Sequence, residues 1–299
     1  MMKKLKTSLD NVEAIKKVLQ HVDEEFVLHD GTIVKTLLIY LPCINNACDH
    51  EKLFDLIKQT IMTRFALSCT EIEKKLNLKC KDAHEVLLKK AIRKISQKTA
   101  QGELGELLLY TLLEVYFDAP KILSKISLKS SRRMPVYGAD AVHAQYFNND
   151  LILYLGESKL HTRFSSAAAL AVKSITSILD KYEDEFDLIE SHIDFYGLNE
   201  KIRTDLLDLL NPFSEENRLI GARIHSPCFI GFVEPSVFCK DEEEYVYNYV
   251  QIAKKHIETF YNNLRSNGND IRKTALLLLP FSSIEDLTEG FISYMEIKK

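Results

Sequence analysis

No apolar run in this 299-residue chain approaches the roughly 20 residues needed to span a bilayer, so no membrane-crossing helix is expected. The N-terminal stretch MMKKLKTSLDNVEAIKK has lysines with no apolar segment behind them. It does not read as a secretory signal, and cytoplasmic residence is the expectation. Paired cysteines are also missing. Cys43, Cys48, Cys69, Cys80, Cys228 and Cys239 contain no CxxC, which fits reduced, mostly buried thiols rather than a disulfide framework. Cys43, Cys48 and His50 are close in sequence, yet they lack the second ligand pair of a zinc site and are read as loop and core residues. A basic excess is missing too. With a net charge of −4 and a pI near 6.2, the chain is not one that holds nucleic acid by overall charge. No Pro/Gly/Ser linker, internal repeat or low-complexity segment divides it.

What is present is ordinary for a soluble globular protein: 46% hydrophobic and 27% charged residues. The length allows one large domain or two modest ones. An N-terminal α/β region over 1–98 and a core over 99–299 is the division expected. Residues 9–21 read as a short amphipathic helix, Gly31–Pro42 as a strand and Asp49–Leu67 as a helix, with lysine-rich helical stretches to residue 98. Further on, a strand is expected near Ile126–Leu128 and a helix over Ser166–Asp180 with Ala168, Ala171, Val172, Ile175 and Leu179 on one face. Acidic Asp180–Glu190 and polar Glu200–Asn217 suggest surface helices. Ala222–Val233 reads as a strand pair broken at Ser226-Pro227, and Thr274–Phe281 as a buried strand before a terminal helix. The tyrosines of the long helix Asp241–Leu264 sit at core spacing and are read as core rather than as a base-stacking platform.

The stretch Gly138–Lys159 (GADAVHAQYFNNDLILYLGESK) organises the rest. Asn148-Asn149 suits the centre of a type I′ turn, because Asn tolerates positive φ. The flanking segments then form a hairpin that pairs Phe147 with Asp150 and, counting outward, Asp140 with Glu157. A strand alternates its side chains, so Glu157 and Lys159 share a face while Ser158 points away. Two carboxylates converging at the end of an apolar strand repel one another unless a cation lies between them. Oxygen ligands of this kind suit Mg²⁺ that keeps several waters and meets a substrate phosphate. The lysine beside them would orient or activate a water. The hairpin reads as the centre of a metal-dependent phosphodiesterase.

Two neighbouring segments extend that site. The helix Gln101–Phe117 opens GELGE, with Glu103 and Glu106 three apart on one face. Glu106, followed by apolar Leu109, Leu112 and Leu113, is the stronger contributor, whereas Glu103 also fits a plain interaction with the helix dipole. The segment Lys121–Arg133 contains Lys125, Lys129, Arg132 and Arg133 with no acid, and leads into the Asp140 strand. These are candidate DNA contacts, against the alternative of a solvated strand edge and loop. His161 and Arg163 lie just past the lysine and are candidate accessory phosphate contacts, against the alternative of His161 as a plain strand-end residue.

The motifs GELGELLLY, YGADAVH and LYLGESKLH resemble, over roughly residues 100–180, the HamA-type nuclease subunits of the Hachiman anti-phage systems, within the PD-(D/E)xK nuclease superfamily. The resemblance implies an α/β (α+β) restriction-endonuclease-like core, a central mixed sheet flanked by helices. It implies Asp140 and Glu157 as metal-binding carboxylates with the Ser158 carbonyl as third ligand, and Lys159 as the lysine that positions the attacking water. Glu106, with Glu103 beside it, takes the place of the first-helix glutamate. Gly138-Ala139 stands where the nominal pattern has proline. The activity implied is a Mg²⁺-dependent deoxyribonuclease, with Mn²⁺ as substitute, in the bacterial cytoplasm. The partners implied are DNA and a superfamily 2 helicase of HamB type, forming a heterodimer. The alternatives are a non-catalytic interaction subunit that retains the nuclease fold, and an unrelated α/β domain in which Glu157 and Lys159 form only a surface ion pair.

Overall fold

A computed structural model describes residues 4–44, 47–48, 50–77, 82–129, 138–194, 198, 200–211, 223–239 and 241–298. The strands in chain order are β1 (Gln20–Val22), β2 (Phe26–Val27), β3 (Ile33–Val34), β4 (Thr36–Tyr40), β5 (Cys43–Ile44), β6 (Ala47–Cys48), β7 (Lys121–Ser124), β8 (Ala141–Phe147), β9 (Asp150–His161), β10 (Ile224–His225), β11 (Cys228–Val233) and β12 (Leu276–Phe281). The helices are α1 (Val12–Val18), α2 (His50–Leu56), α3 (Met62–Ala66), α4 (Cys69–Asn77), α5 (Ala83–Ile92), α6 (Ala100–Tyr116), α7 (Phe164–Asp180), α8 (Tyr182–His192), α9 (Glu200–Leu210), α10 (Glu242–Ser266) and α11 (Ile284–Tyr294). A π-helical turn at Ile57–Ile61 joins α2 to α3, where one continuous helix was expected.

One mixed sheet carries the architecture, in the order β1-β4-β12-β11-β9-β8-β7 with β10 beside β9. Its centre is parallel, β4 to β12 to β11 to β9, and both margins are antiparallel. The sequences explain the arrangement. β11 (CFIGFV) and β12 (LLLLPF) are apolar without alternation, as strands buried on both faces are. Their side chains alternate all the same. Phe229, Leu277, Leu279 and Phe281 face a core built with α6, α2, α3 and α11. Cys228, Ile230, Phe232, Leu276 and Leu278 face a second core with α7 and α10. A third core joins Val142, Leu153 and Leu155 of the hairpin to Phe186 and Ile189 of α8 and Leu206, Leu209 and Leu210 of α9. The protein is thus α+β, a mixed sheet with helices on both faces, compatible with a nuclease-like core.

Several expectations hold in detail. Tyr245, Tyr249 and Tyr261 of α10 are fully buried, and the Tyr261 hydroxyl donates to the Lys35 carbonyl at 2.7 Å. The chain breaks between β10 and β11 at Ser226-Pro227 as read. One element moves. The strand before the hairpin is Lys121–Ser124, and Lys125–Leu128 is a 3₁₀ turn. Lys121 explains the shift. Its ammonium turns inward onto the carbonyls of Arg64, Phe65 (3.2 Å) and Leu67 (2.9 Å) at the end of α3, which pins the strand further upstream. The division expected near residue 98 falls between α5 and α6, while β1 and β4 lie within the main sheet and α1–α5 share the α6 core.

Candidate active site

The hairpin is built by its turn. Asn148 and Asn149 have φ of 50° and 66°, both positive as a type I′ turn requires. The pairing runs from Phe147↔Asp150 to Ala141↔Gly156, the register read from the sequence. It stops one residue short of the expected Asp140–Glu157 pair. The Asp140 N–H donates to the Gly156 carbonyl at 2.9 Å, and the Glu157 N–H faces the other neighbour, bonding the Pro227 carbonyl at 3.0 Å. Asp140 meets β9 through its side chain instead. Its Oδ2 accepts the Ser158 N–H at 3.0 Å and the Ser158 hydroxyl at 2.9 Å, completing the ladder where the backbone leaves it.

Asp140 (9% exposed) and Glu157 (5%) are both buried, and each has a lysine. Lys125 Nζ lies 2.9 Å from Asp140 Oδ1. Lys159 pairs with Glu157, on the shared face the alternation requires, and its Nζ lies 3.2 Å from the Ser158 carbonyl. Burial, and secondarily the Asp140 charge, pushes the Glu157 carboxyl up to about 7, against the pull of Lys159. Burial alone would lower both lysines. The Glu157 carboxylate holds Lys159 above its usual value, and the Asp140 and Glu106 carboxylates do the same for Lys125.

Helix α6 lies against this corner because Gly105 faces the strand. A Cβ there would meet Ser158 Oγ and Leu160 Cγ, both at 3.4 Å. Gly102, by contrast, has nothing within 4 Å and serves no close approach. The two glutamates between and beside them divide sharply. Glu103 accepts the Ser96 N–H at 2.9 Å and the Thr99 hydroxyl at 2.7 Å, and it pairs with Lys129. It anchors the start of α6, and Lys129 is turned inward onto it. Among the described residues Glu106 has no hydrogen-bonded partner. Burial, followed by the charges of Asp140 and Glu103, pushes its carboxyl up to about 8.

These groups open onto a cleft of about 1050 Å³ walled on the far side by α7 and α8. Lys125, Asp140, Glu157 and Lys159 line one side; Lys173, Ser174, Ser177, Lys181 and Glu185 line the other. Hence Asp140, Glu157, Lys159 and Lys125 come together, Glu106 stands behind them within their field, and Glu103 and Lys129 pair with each other. His161 is half-buried at the end of β9, its Nδ1 accepting the Arg163 N–H at 3.1 Å, and Arg163 is exposed. Arg132 and Arg133 lie outside the described residues. The α7 and α8 wall was not read from the sequence. Glu185 was hidden among the acids of α8, although Phe186 and Ile189 at helical spacing mark that helix as packed on one face.

Two carboxylates and a backbone carbonyl form an all-oxygen donor set, suited to a hard dication. Among the described residues no group of three or more His, Cys, Asp or Glu side chains is placed to hold a metal ion. Mg²⁺ does not require one, since it is commonly held by one or two carboxylates, waters and substrate phosphate. The crowded negative charge that lifts Glu106 and Glu157 is what a bound dication would offset.

No curated protein and no solved structure matches the chain. A family model described as HamA matches residues 14–295 of it, nearly the entire length. With a match that spans the N-terminal helices, the hairpin and the last helix alike, the chain belongs to the HamA family, the HamA-type subunits of Hachiman anti-phage systems.

Proposed function

We propose that this protein is a metal-dependent DNA endonuclease of Hachiman anti-phage defence, controlled by a partner helicase. The observation that carries the reading is the convergence of Asp140, Glu157 and Lys159 at one cleft, with Lys125 on Asp140 and Glu106 behind. Asp140, Glu157 and the Ser158 carbonyl would hold Mg²⁺, or Mn²⁺ in its place. When bound, the ion would polarise the scissile phosphate, acidify a water and offset charge on the leaving oxygen. Lys159 is tethered at the Glu157 edge of the cleft, where its ammonium can hold the attacking water and meet a phosphate oxygen. Glu106, with its carboxyl raised to about 8, is suited to exchange a proton near neutral pH. Lys125 presents a second cation to the substrate from the Asp140 side.

The family supports a role in defence, and a net charge of −4 is compatible with a partner that supplies much of the DNA affinity. The test is cleavage of plasmid DNA with Mg²⁺, by the chain alone and with its co-encoded helicase. Cutting that disappears on chelation and in Glu157→Ala and Lys159→Ala is the expected result. Undiminished cutting by both variants would sink the site. Absence of cutting in every combination would favour an interaction subunit that retains the fold.

A further inference from the structure

We propose that Glu185 is a positioning residue of this site, holding from α8 the turn that presents Asp140. The inference rests on the reading of Asp140 as a metal-binding carboxylate. Asp140 is tied to β9 by its N–H and its side chain, but the N–H of Ala139 just before it leaves the sheet. The preceding turn is fixed from across the cleft. Glu185 Oε2 accepts the Ala139 N–H at 3.0 Å, and Glu185 is only 6% exposed. Gly138 makes room for it. With φ of +110°, a Cβ at Gly138 would stand 2.8 Å and 3.0 Å from the two Glu185 oxygens and 3.2 Å from Leu188 Cδ2. Backbone geometry and space both require glycine here. The mounting is anchored, because Phe186 and Ile189, just after Glu185 on α8, are sunk into the core with Leu153 and Leu155 of β9. The same helix therefore shares a core with the strand that carries Glu157 and bonds the turn that carries Asp140. The two carboxylates keep their relation because α8 spans both.

A side chain that acts through a hydrogen bond, not through its charge, is replaceable by an isosteric acceptor. Glu185→Gln keeps the acceptor for the Ala139 N–H; Glu185→Ala removes it, and Gly138→Ala displaces it. The measurement is Mn²⁺ binding to the full-length chain, followed by electron paramagnetic resonance, with far-UV circular dichroism to verify folding. Glu185→Ala is expected to weaken Mn²⁺ binding by about 10- to 100-fold, the range seen when residues supporting metal ligands are removed. Gly138→Ala should follow it, while Glu185→Gln should retain most of the wild-type affinity. If Glu185→Ala fails to fold, the glutamine variant and Gly138→Ala carry the comparison. Wild-type affinity in Gly138→Ala and Glu185→Ala overturns the inference, and so does a glutamine variant as weak as the alanine. Asp140→Ala and Glu157→Ala separate the two readings. Binding lost in those variants but intact in Glu185→Ala overturns only the role of Glu185. Wild-type protein that takes up no Mn²⁺, or binding untouched in both, overturns the metal site itself and this inference with it.

Discussion

Helix α6 treats two of its glutamates, Glu114 and Glu106, in opposite ways. Toward its C-terminus, Glu114 is fully buried and accepts four hydrogen bonds: the Thr7 hydroxyl at 2.5 Å, the Ser8 N–H and hydroxyl both at 2.7 Å, and the Lys121 N–H at 2.9 Å. That carboxylate stitches the N-terminal segment to α6 and β7. Two turns earlier the half-buried Glu106 is held beside Asp140 and Glu103 with no hydrogen-bonded partner among the described residues. Burial alone does not distinguish a structural acid from a reactive one. The number of donors does: a saturated carboxylate belongs to the scaffold, and an under-donated one among other acids is ready for a proton or a cation.

The largest effect expected from that contrast is on activity. Glu157→Gln should reduce Mg²⁺-dependent cleavage by about a thousandfold while leaving the thermal midpoint in place or raising it, because a repulsive charge is lost. A cleavage assay beside a thermal melt checks both, and a large fall in midpoint would erase the distinction. Glu114→Ala should do the reverse. Four donors would be left facing a void, costing about 3 kcal/mol or more in denaturant titration, with cleavage per folded molecule little changed. Loss of specific activity without loss of stability would place Glu114 in the chemistry.

The contrast also has a pH signature. Glu106 and Glu157 are raised to about 8 and about 7 in the fold, whereas an unfolded chain releases these protons near pH 4.3. Between those values the folded protein binds more protons, so the contribution of these groups to stability falls as pH rises from about 5 to 8. In chelator the thermal midpoint should decline across that window. The increment on adding Mg²⁺ should grow with pH, as the ligands no longer need to lose protons. The Glu106→Gln/Glu157→Gln double variant should flatten both trends, and an unchanged slope would break the assignment. The smallest effect expected is a gain. Gly102→Ala, in the first turn of α6 with nothing within 4 Å, should stabilise the protein by about 0.5 kcal/mol without affecting cleavage.

The parts of the site that were legible in the sequence are those set by short-range rules. Asn148-Asn149 fixed the turn, strand alternation placed Glu157 beside Lys159, and the apolar β11 and β12 announced a sheet covered on both faces. What escaped depends on contacts distant in sequence. Lys121 and Lys129 looked like a solvated basic segment because nothing local shows that the α3 carbonyls and Glu103 take them inward. Glu185 is separated from Ala139 by 46 residues, and only the docking of α8 joins them. The end of the ladder at Asp140 has a similar origin, in the claim of Glu185 on the Ala139 N–H.

The Asn148–Asn149 turn has one more consequence, for which lengths of chain this protein tolerates. Eight residues separate Asn149 from Glu157 along β9, about 26 Å of strand. One residue inserted in that interval would rotate every later side chain to the opposite face, sending Glu157 and Lys159 toward α6 and Ser158 toward the cleft. Two inserted residues would restore the faces but carry the carboxylate past Asp140. The arm works as a ruler. Its side chains are buried from Leu151 to Ser158, and its count of residues is as constrained as they are.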